Sequence, residues 1–232
     1  MNQSYSMSPA QVMAEQQRFI VKVYSWMSVA LGLTGIVSML VASSETALRI
    51  VVGNSFVFYG LLIGEFILVA TLSGLVQKMN ATVATFVFLF YAALNGLTFS
   101  IIFVVYTSAS ISSTFYITAG TFALTSFYGY VTKSDLTKLG NLFMMALIGL
   151  ILASVVNLFM KSEAIYWITT YIGVILFVGL TAYDTQKIKN MNIIGNEGTE
   201  EDQKEAIMGA LTLYLDFINL FLYLLRIFGR RR

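Results

Sequence analysis

Seven stretches of the chain are long and apolar enough to cross a bilayer: roughly 20–42, 52–76, 81–106, 113–132, 141–160, 164–186 and 206–228. Each meets the requirement of about 20 mostly apolar residues for a spanning helix. The breaks between them are short and polar, with one longer exception, "KIKNMNIIGNEGTEEDQKE" at 187–205, whose Asn, Gly and acidic residues mark a solvated loop. There is no internal repeat. The pattern predicts a polar N-terminal tail over 1–18, one all-α, polytopic membrane domain over 19–229, and a basic tail over 230–232. The N-terminus lacks a basic start followed by an apolar core and cleavage site, so it reads as a tail rather than a secretory signal.

Composition supports this reading. Hydrophobic residues make up 57% of the chain and charged residues 11%, against about 25% charged in a soluble domain. The mean hydropathy is +0.77. A net charge of +2 gives no pull toward nucleic acid. The absence of Cys and His removes disulfides, thiol chemistry, imidazole bases and Cys/His metal sites. Proton chemistry is left to carboxylates, Tyr and Lys. There is no HExxH and no phosphate-binding glycine loop. A retinal Schiff base would need a lysine in span seven, which has none. "AYDTQ" shares its YD with intramembrane aspartyl proteases, but "YLDFIN" lacks their GxGD. The expectation is therefore a protein that is not an enzyme.

Charge also orients the chain. With a cytoplasmic N-terminus, the tail and even-numbered loops hold Arg18, Lys22, Lys78, Lys133, Lys138, Lys187, Lys189 and Lys204, and the opposite loops hold Arg49 and Lys161. The positive-inside rule favours that arrangement. A seventh full span then carries Arg226 and Arg230 to Arg232 to the outside, against the same rule. Either the last helix overrides the rule or it re-enters and returns. The basic tail reads as a positive cap on a membrane helix or as a contact for lipid headgroups or a partner. Tyr24 with Trp26, Tyr128 with Tyr130, and Tyr166 with Trp167 are placed to serve as interfacial anchors. Pro9, the single proline, lies outside every span, so no span carries a proline kink.

Three acidic residues fall inside the spans: Glu65 in span two, Asp184 near one end of span six, and Asp216 at the centre of span seven. An ionised Asp near mid-bilayer costs about 2.5–3.5 kcal/mol on insertion scales, so each calls for a polar partner, water or a proton. Stepping along span seven by three and four residues gives Gly209, Thr212, Asp216, Asn219, Tyr223 and Arg226, a small or polar stripe opposite Leu, Ile and Phe. Such a helix belongs inside the bundle. Thr212 and Asn219 read best as interhelical hydrogen-bonding residues, as do Asn95 and Asn157. Thr181, Asp184 and Lys187 share a face of span six. Antiparallel packing of spans six and seven puts Asp184 and Asp216 at similar depth, so they can form a pair; Asp184 reads equally as a boundary residue. Two adjacent carboxylates do not both ionise cheaply, and such a pair titrates as a unit. They also form a hard oxygen set suited to Ca²⁺. Glu65, beside the close-approach glycines Gly60 and Gly64, is a candidate third member.

"GLTAYDTQKIK" at 179–189 and "LYLDFINLFLYLLR" at 213–226 resemble the Bax inhibitor-1 family, the transmembrane Bax inhibitor motif proteins. "FIVKVYSWMSVALGLTG" at 19–35, "LNGLTFSIIF" at 94–103 and "YGYVTKSDLTKLGNLFMMALIGLILASVVNLF" at 128–159 are similar to further segments of its bacterial branch. The resemblance implies seven helices with the last one central, wrapped by the other six. It implies a pH-sensitive calcium leak of the cell inner membrane, with the family's paired aspartates at Asp184 and Asp216. It carries the second-span acid onto Glu65. Some relatives place an arginine further along that span to latch an aspartate; here Lys78 is the nearest cation. Expected partners are membrane lipid, protons and calcium, with no further cofactor. An alternative role is a non-transporting adaptor that restrains a membrane-anchored AAA protease, with residues 1–18 as its handle.

Overall fold

Short polar side chains set where the helices begin. In the computed structural model, which describes residues 8–232, Ser8, Asn54, Asn80, Thr107, Ser162 and Thr199 each accept a hydrogen bond from the first turn of the helix that follows. Those caps satisfy N–H groups that have no partner inside the helix. The helices are α1 (Pro9–Ala42), α2 (Glu45–Val51), α3 (Ser55–Leu75), α4 (Ala81–Val105), α5 (Ser108–Val131), α6 (Gly140–Met160), α7 (Glu163–Met191) and α8 (Glu200–Phe228).

The N-terminal tail is shorter than the hydropathy pattern predicts. Ser8 and Gln11 form a reciprocal capping box and Pro9 takes the first helical position, an arrangement that starts a helix whatever its hydropathy. Residues 9–18 are thus the first turns of α1, Ser8 is its cap, and residues 1–7 of the predicted tail lie outside the described residues. The short helix α2 also escaped the hydropathy pattern.

Among the described residues, six helices are long and apolar enough to cross a membrane. The seventh, α5, has 24 residues, about 36 Å at 1.5 Å per residue, but many are Ser and Thr. Its buried row is Ser110, Thr114, Thr118, Phe122, Ser126 and Gly129, so its polar side faces protein and not lipid.

The last helix is central, as expected: α1, α4, α5 and α7 pack along it, and α6 meets it through a smaller Leu and Phe cluster. α3 packs mainly on α4, and α6 mainly on α7. α3 fully buries only Glu65 and Leu72, and α6 only Leu150, so much of each helix is left for lipid. The main core gathers around Tyr214, whose ring meets Phe88 and Tyr91 of α4 edge-on. Phe217 meets Phe115 and Phe122 of α5 in the same way. A smaller cluster of Leu150, Leu176, Phe177, Leu180, Leu220 and Leu224 joins α6, α7 and α8.

α8 runs unbroken for 29 residues, which removes the re-entrant alternative. Past Phe228 the chain pairs with the α4–α5 junction: the Arg232 N–H donates to the Val105 carbonyl at 2.9 Å, and the Thr107 N–H donates to the Arg230 carbonyl at 3.1 Å. The C-terminus therefore lies on the face of the α4–α5 and α6–α7 turns, opposite the start of α1. The arginines sit there despite the charge rule.

Candidate functional site: an intramembrane aspartate pair

Glycines bring four helices together around the two aspartates. A Cβ on Gly129 of α5 would run into the backbone of Ala182 on α7, so the two helices touch there at backbone distance. Gly209 of α8 fits between Val23 of α1 and Ile188 of α7, each 3.1–3.2 Å from where its Cβ would be. With the helices this close, the carboxyls of Asp184 and Asp216 come within hydrogen-bonding reach of each other. They are 7% and 4% exposed. One oxygen of Asp216, Oδ2, is buried with no hydrogen-bond partner.

Three hydroxyls form a chain beside the pair. Tyr24 Oη lies 3.3 Å from Thr185 Oγ1, and Thr185 Oγ1 donates to Ser126 Oγ at 3.3 Å. Tyr24 is near enough for the charge of Asp216 to act on its phenol. Lys187, one turn beyond Asp184, is the cation whose field reaches that carboxyl. It forms no ion pair: among the described residues only Arg18 with Glu197 and Lys22 with Asp202 are bridged, at 2.6 and 2.9 Å. Among the described residues no third acidic side chain completes a metal-binding set. The pair is thus a two-carboxylate contact and not a cage, since Ca²⁺ takes 6–8 oxygens when held.

The family model described as "Inhibitor of apoptosis-promoting Bax1" matches residues 16–232. The chain belongs to the Bax inhibitor-1 family. It is 54% identical over 226 residues to the inner membrane protein YbhL of Escherichia coli K12, with 97% of each chain covered. It is 44% identical over 223 residues to protein RP147 of Rickettsia prowazekii, covering 93% of this chain and 91% of the relative. It is 43% identical over 217 residues to an uncharacterized protein of Borreliella burgdorferi, covering 94% of each.

The latch that the Bax inhibitor-1 resemblance implies has a different cation environment here. Lys78 lies beyond the end of α3, in a 3₁₀ turn (Val76–Lys78), and makes no ion pair among the described residues. Glu65 is buried, but it does not join the aspartates. Its carboxylate accepts from Thr98 Oγ1 of α4 at 2.9 Å. Gly60 and Gly64 are not a close-approach pair, since nothing lies within 4 Å of either Cβ position. The backbone approaches are at Gly129 and at Gly96, which packs on Thr34 and Val37 of α1.

The stripe on α8 also differs from the expectation. Thr212 Oγ1 and Asn219 Nδ2 donate to the carbonyls of Met208 and Leu215 in their own helix, so neither links helices. Both are half-buried on the least covered side of α8. Asn95 donates likewise to Tyr91 of α4, and Asn157 caps the α6–α7 turn by accepting from the Ser162 N–H. Tyr223 packs over Gly173 and stacks on Phe177 of α7. Tyr24, read from its position as a membrane anchor, instead turns inward beside the pair. Its spacing of seven residues from Gln17 and Leu31 gave no sign of this; only α1's crossing of α8 decides it.

Below the pair, on the face of the N-terminus, α1 and the 192–199 loop are clasped. Glu15 is buried and accepts from the Gly195 N–H at 2.8 Å. Arg18 grips Glu197 through two hydrogen bonds of 2.6 and 2.7 Å, holding that carboxyl below its ordinary value. Asp202 joins Lys22 to the Gly198 N–H, and Glu200 accepts from the Ala81 N–H of α4.

Proposed function

We propose that this protein is a pH-sensitive calcium leak of the bacterial inner membrane, with a cytoplasmic N-terminus and gating by Asp184 and Asp216. The observation that carries the reading is the carboxyl–carboxyl contact, buried among hydroxyls, with Asp216 Oδ2 unpartnered. With one shared proton the contact is stable and the two side chains hold α7 to α8. Without it, two like charges face each other in a low-dielectric site, where repulsion is several times stronger than in water. Relief comes from separation of the helices, entry of water, or a cation.

A hard divalent ion suits that oxygen set, with Tyr24, Ser126 and Thr185 as additional oxygens. Calcium is here the passing ion and not a resident cofactor. Glu65 on peripheral α3 is a second acidic station, separate from the gate. The excess of Lys and Arg in the loops beside the N-terminus supports the orientation, and the name of the Escherichia coli relative supports the membrane.

The test is Ca²⁺ flux through the protein reconstituted in vesicles, measured across pH. The wild type should show a pH step. Asp184→Asn and Asp216→Asn should each abolish the step, because an amide neither shares nor loses a proton. Survival of the same step in both variants would end this reading.

A further inference from the structure

The ends of α6, α7 and α8 on the C-terminal face surround an open vestibule of about 550 Å³. Lys161, Arg226 and Arg231 line it against one carboxylate, Glu163. None of the four takes part in an ion pair among the described residues. Three cations this close repel one another, and the fold holds them in place. The Arg226 guanidinium lies over the rings of Tyr166 and Tyr223, at 5.4 and 5.0 Å. Stacking of that kind fixes the plane of the guanidinium and leaves its edge N–H donors free. Arg231 is tied by its backbone to Tyr106, and its side chain lies near Tyr106 and Tyr166. Lys161 ends α6 in the left-handed region at φ 50, the only non-glycine residue to do so among the described residues. A lysine adopts that conformation at a cost.

Preorganised, unneutralised guanidinium donors match a phosphate, which they bind through paired hydrogen bonds. Two features point to a lipid as its source. Tyr166 and Trp167 line the vestibule, and such side chains sit at headgroup depth. Apolar side chains at the same helix ends, Phe159, Met160 and Phe228, are more than half exposed and offer a surface for acyl chains. Basic pockets between membrane helices hold anionic headgroups in this way. We propose that the vestibule binds the phosphodiester headgroup of an anionic phospholipid of the phosphatidylglycerol class, taken from the leaflet on the C-terminal face. The bound phosphate neutralises the arginines that lie on the side disfavoured by the charge rule, and it ties the end of α8 to the α6–α7 turn.

The experiment is native mass spectrometry of the full chain released from nanodiscs of phosphatidylglycerol or phosphatidylcholine. The wild type should retain phosphatidylglycerol about tenfold more, which corresponds to about 1.4 kcal/mol. Lys161→Gln combined with Arg231→Gln should remove that preference, while Lys161→Arg should keep it. Equal retention of the two lipids by the wild type overturns the proposal, and that comparison does not depend on a variant folding. A preference that survives the double substitution, with helical content unchanged, also overturns it. Inorganic phosphate added alone is the third arm. If it raises thermal stability as much as the lipid does, the site takes a free anion and the lipid assignment fails.

Discussion

Asp216 has a carboxyl oxygen that nothing in the fold satisfies. A buried, unpaired polar atom costs about 1–3 kcal/mol. Its position beside Asp184 is set by glycines: Gly129 lets α5 reach the Ala182 backbone, and this contact places Ser126 beside Thr185. Gly129→Ala puts a methyl group where the α7 backbone already is. It should lower stability by about 1–3 kcal/mol, the usual cost of overpacking, read as a lower melting temperature in detergent. Gly60→Ala, which meets nothing within 4 Å, should leave the melting temperature in place. Equal behaviour of the two would contradict the backbone contact. Thr212 and Asn219 carry a different lesson. Their side chains are satisfied by carbonyls of their own helix, so spacing correctly put them on one face but said nothing about partners.

At the scale of elements, the two acidic regions do separate work. α7 and α8 meet at the aspartates, while the loop between them is fastened to α1 through Glu15, Arg18 and Lys22. The clasp responds to pH with a definite sign. Glu197 is held below its ordinary value of 4.5 by Arg18. A carboxyl lowered in the folded state stabilises above its unfolded value, and the contribution is lost as pH falls through the folded value. The Arg18–Glu197 bridge is therefore made at neutral pH and is lost only in acid below 4.5. A spin label at Ile193 should be immobile at neutral pH and loosen below that point, and Glu197→Gln should loosen it at neutral pH. A mobility step well above 4.5 would show that another group controls the loop. The contribution is modest because the pair is exposed.

For the whole molecule, the decisive feature is where α8 ends. Its tail pairs with the α4–α5 junction, and Arg226 lies over Tyr166 at the start of α7. The chain thus crosses an odd number of times. Because it has no cysteine of its own, single introduced cysteines report sidedness cleanly. Cysteines at positions 161 and 230 should react with an impermeant reagent from one side of sealed vesicles, and cysteines at 78, 138 and 196 from the other. Reaction of 230 together with 138 would refute the crossing of α8.

The hydrophobic pattern by itself determined that the protein is a helical membrane bundle, roughly where each span lies, and that Asp184 and Asp216 reach similar depth. These follow from the cost of exposing backbone or charge to lipid, which acts residue by residue along the chain. The tertiary structure alone decided the partners. It sent Glu65 to Thr98 and away from the aspartates, turned Tyr24 inward, left α3 on the outside of α4, and gave α5 a Ser/Thr row facing protein. Hydropathy averages over a helix's circumference, and helical spacing names a face without naming its neighbour. Which faces meet depends on how closely pairs of helices approach. In this protein that was settled at Gly96, Gly129 and Gly209, whose missing side chains matter only once a second backbone is beside them.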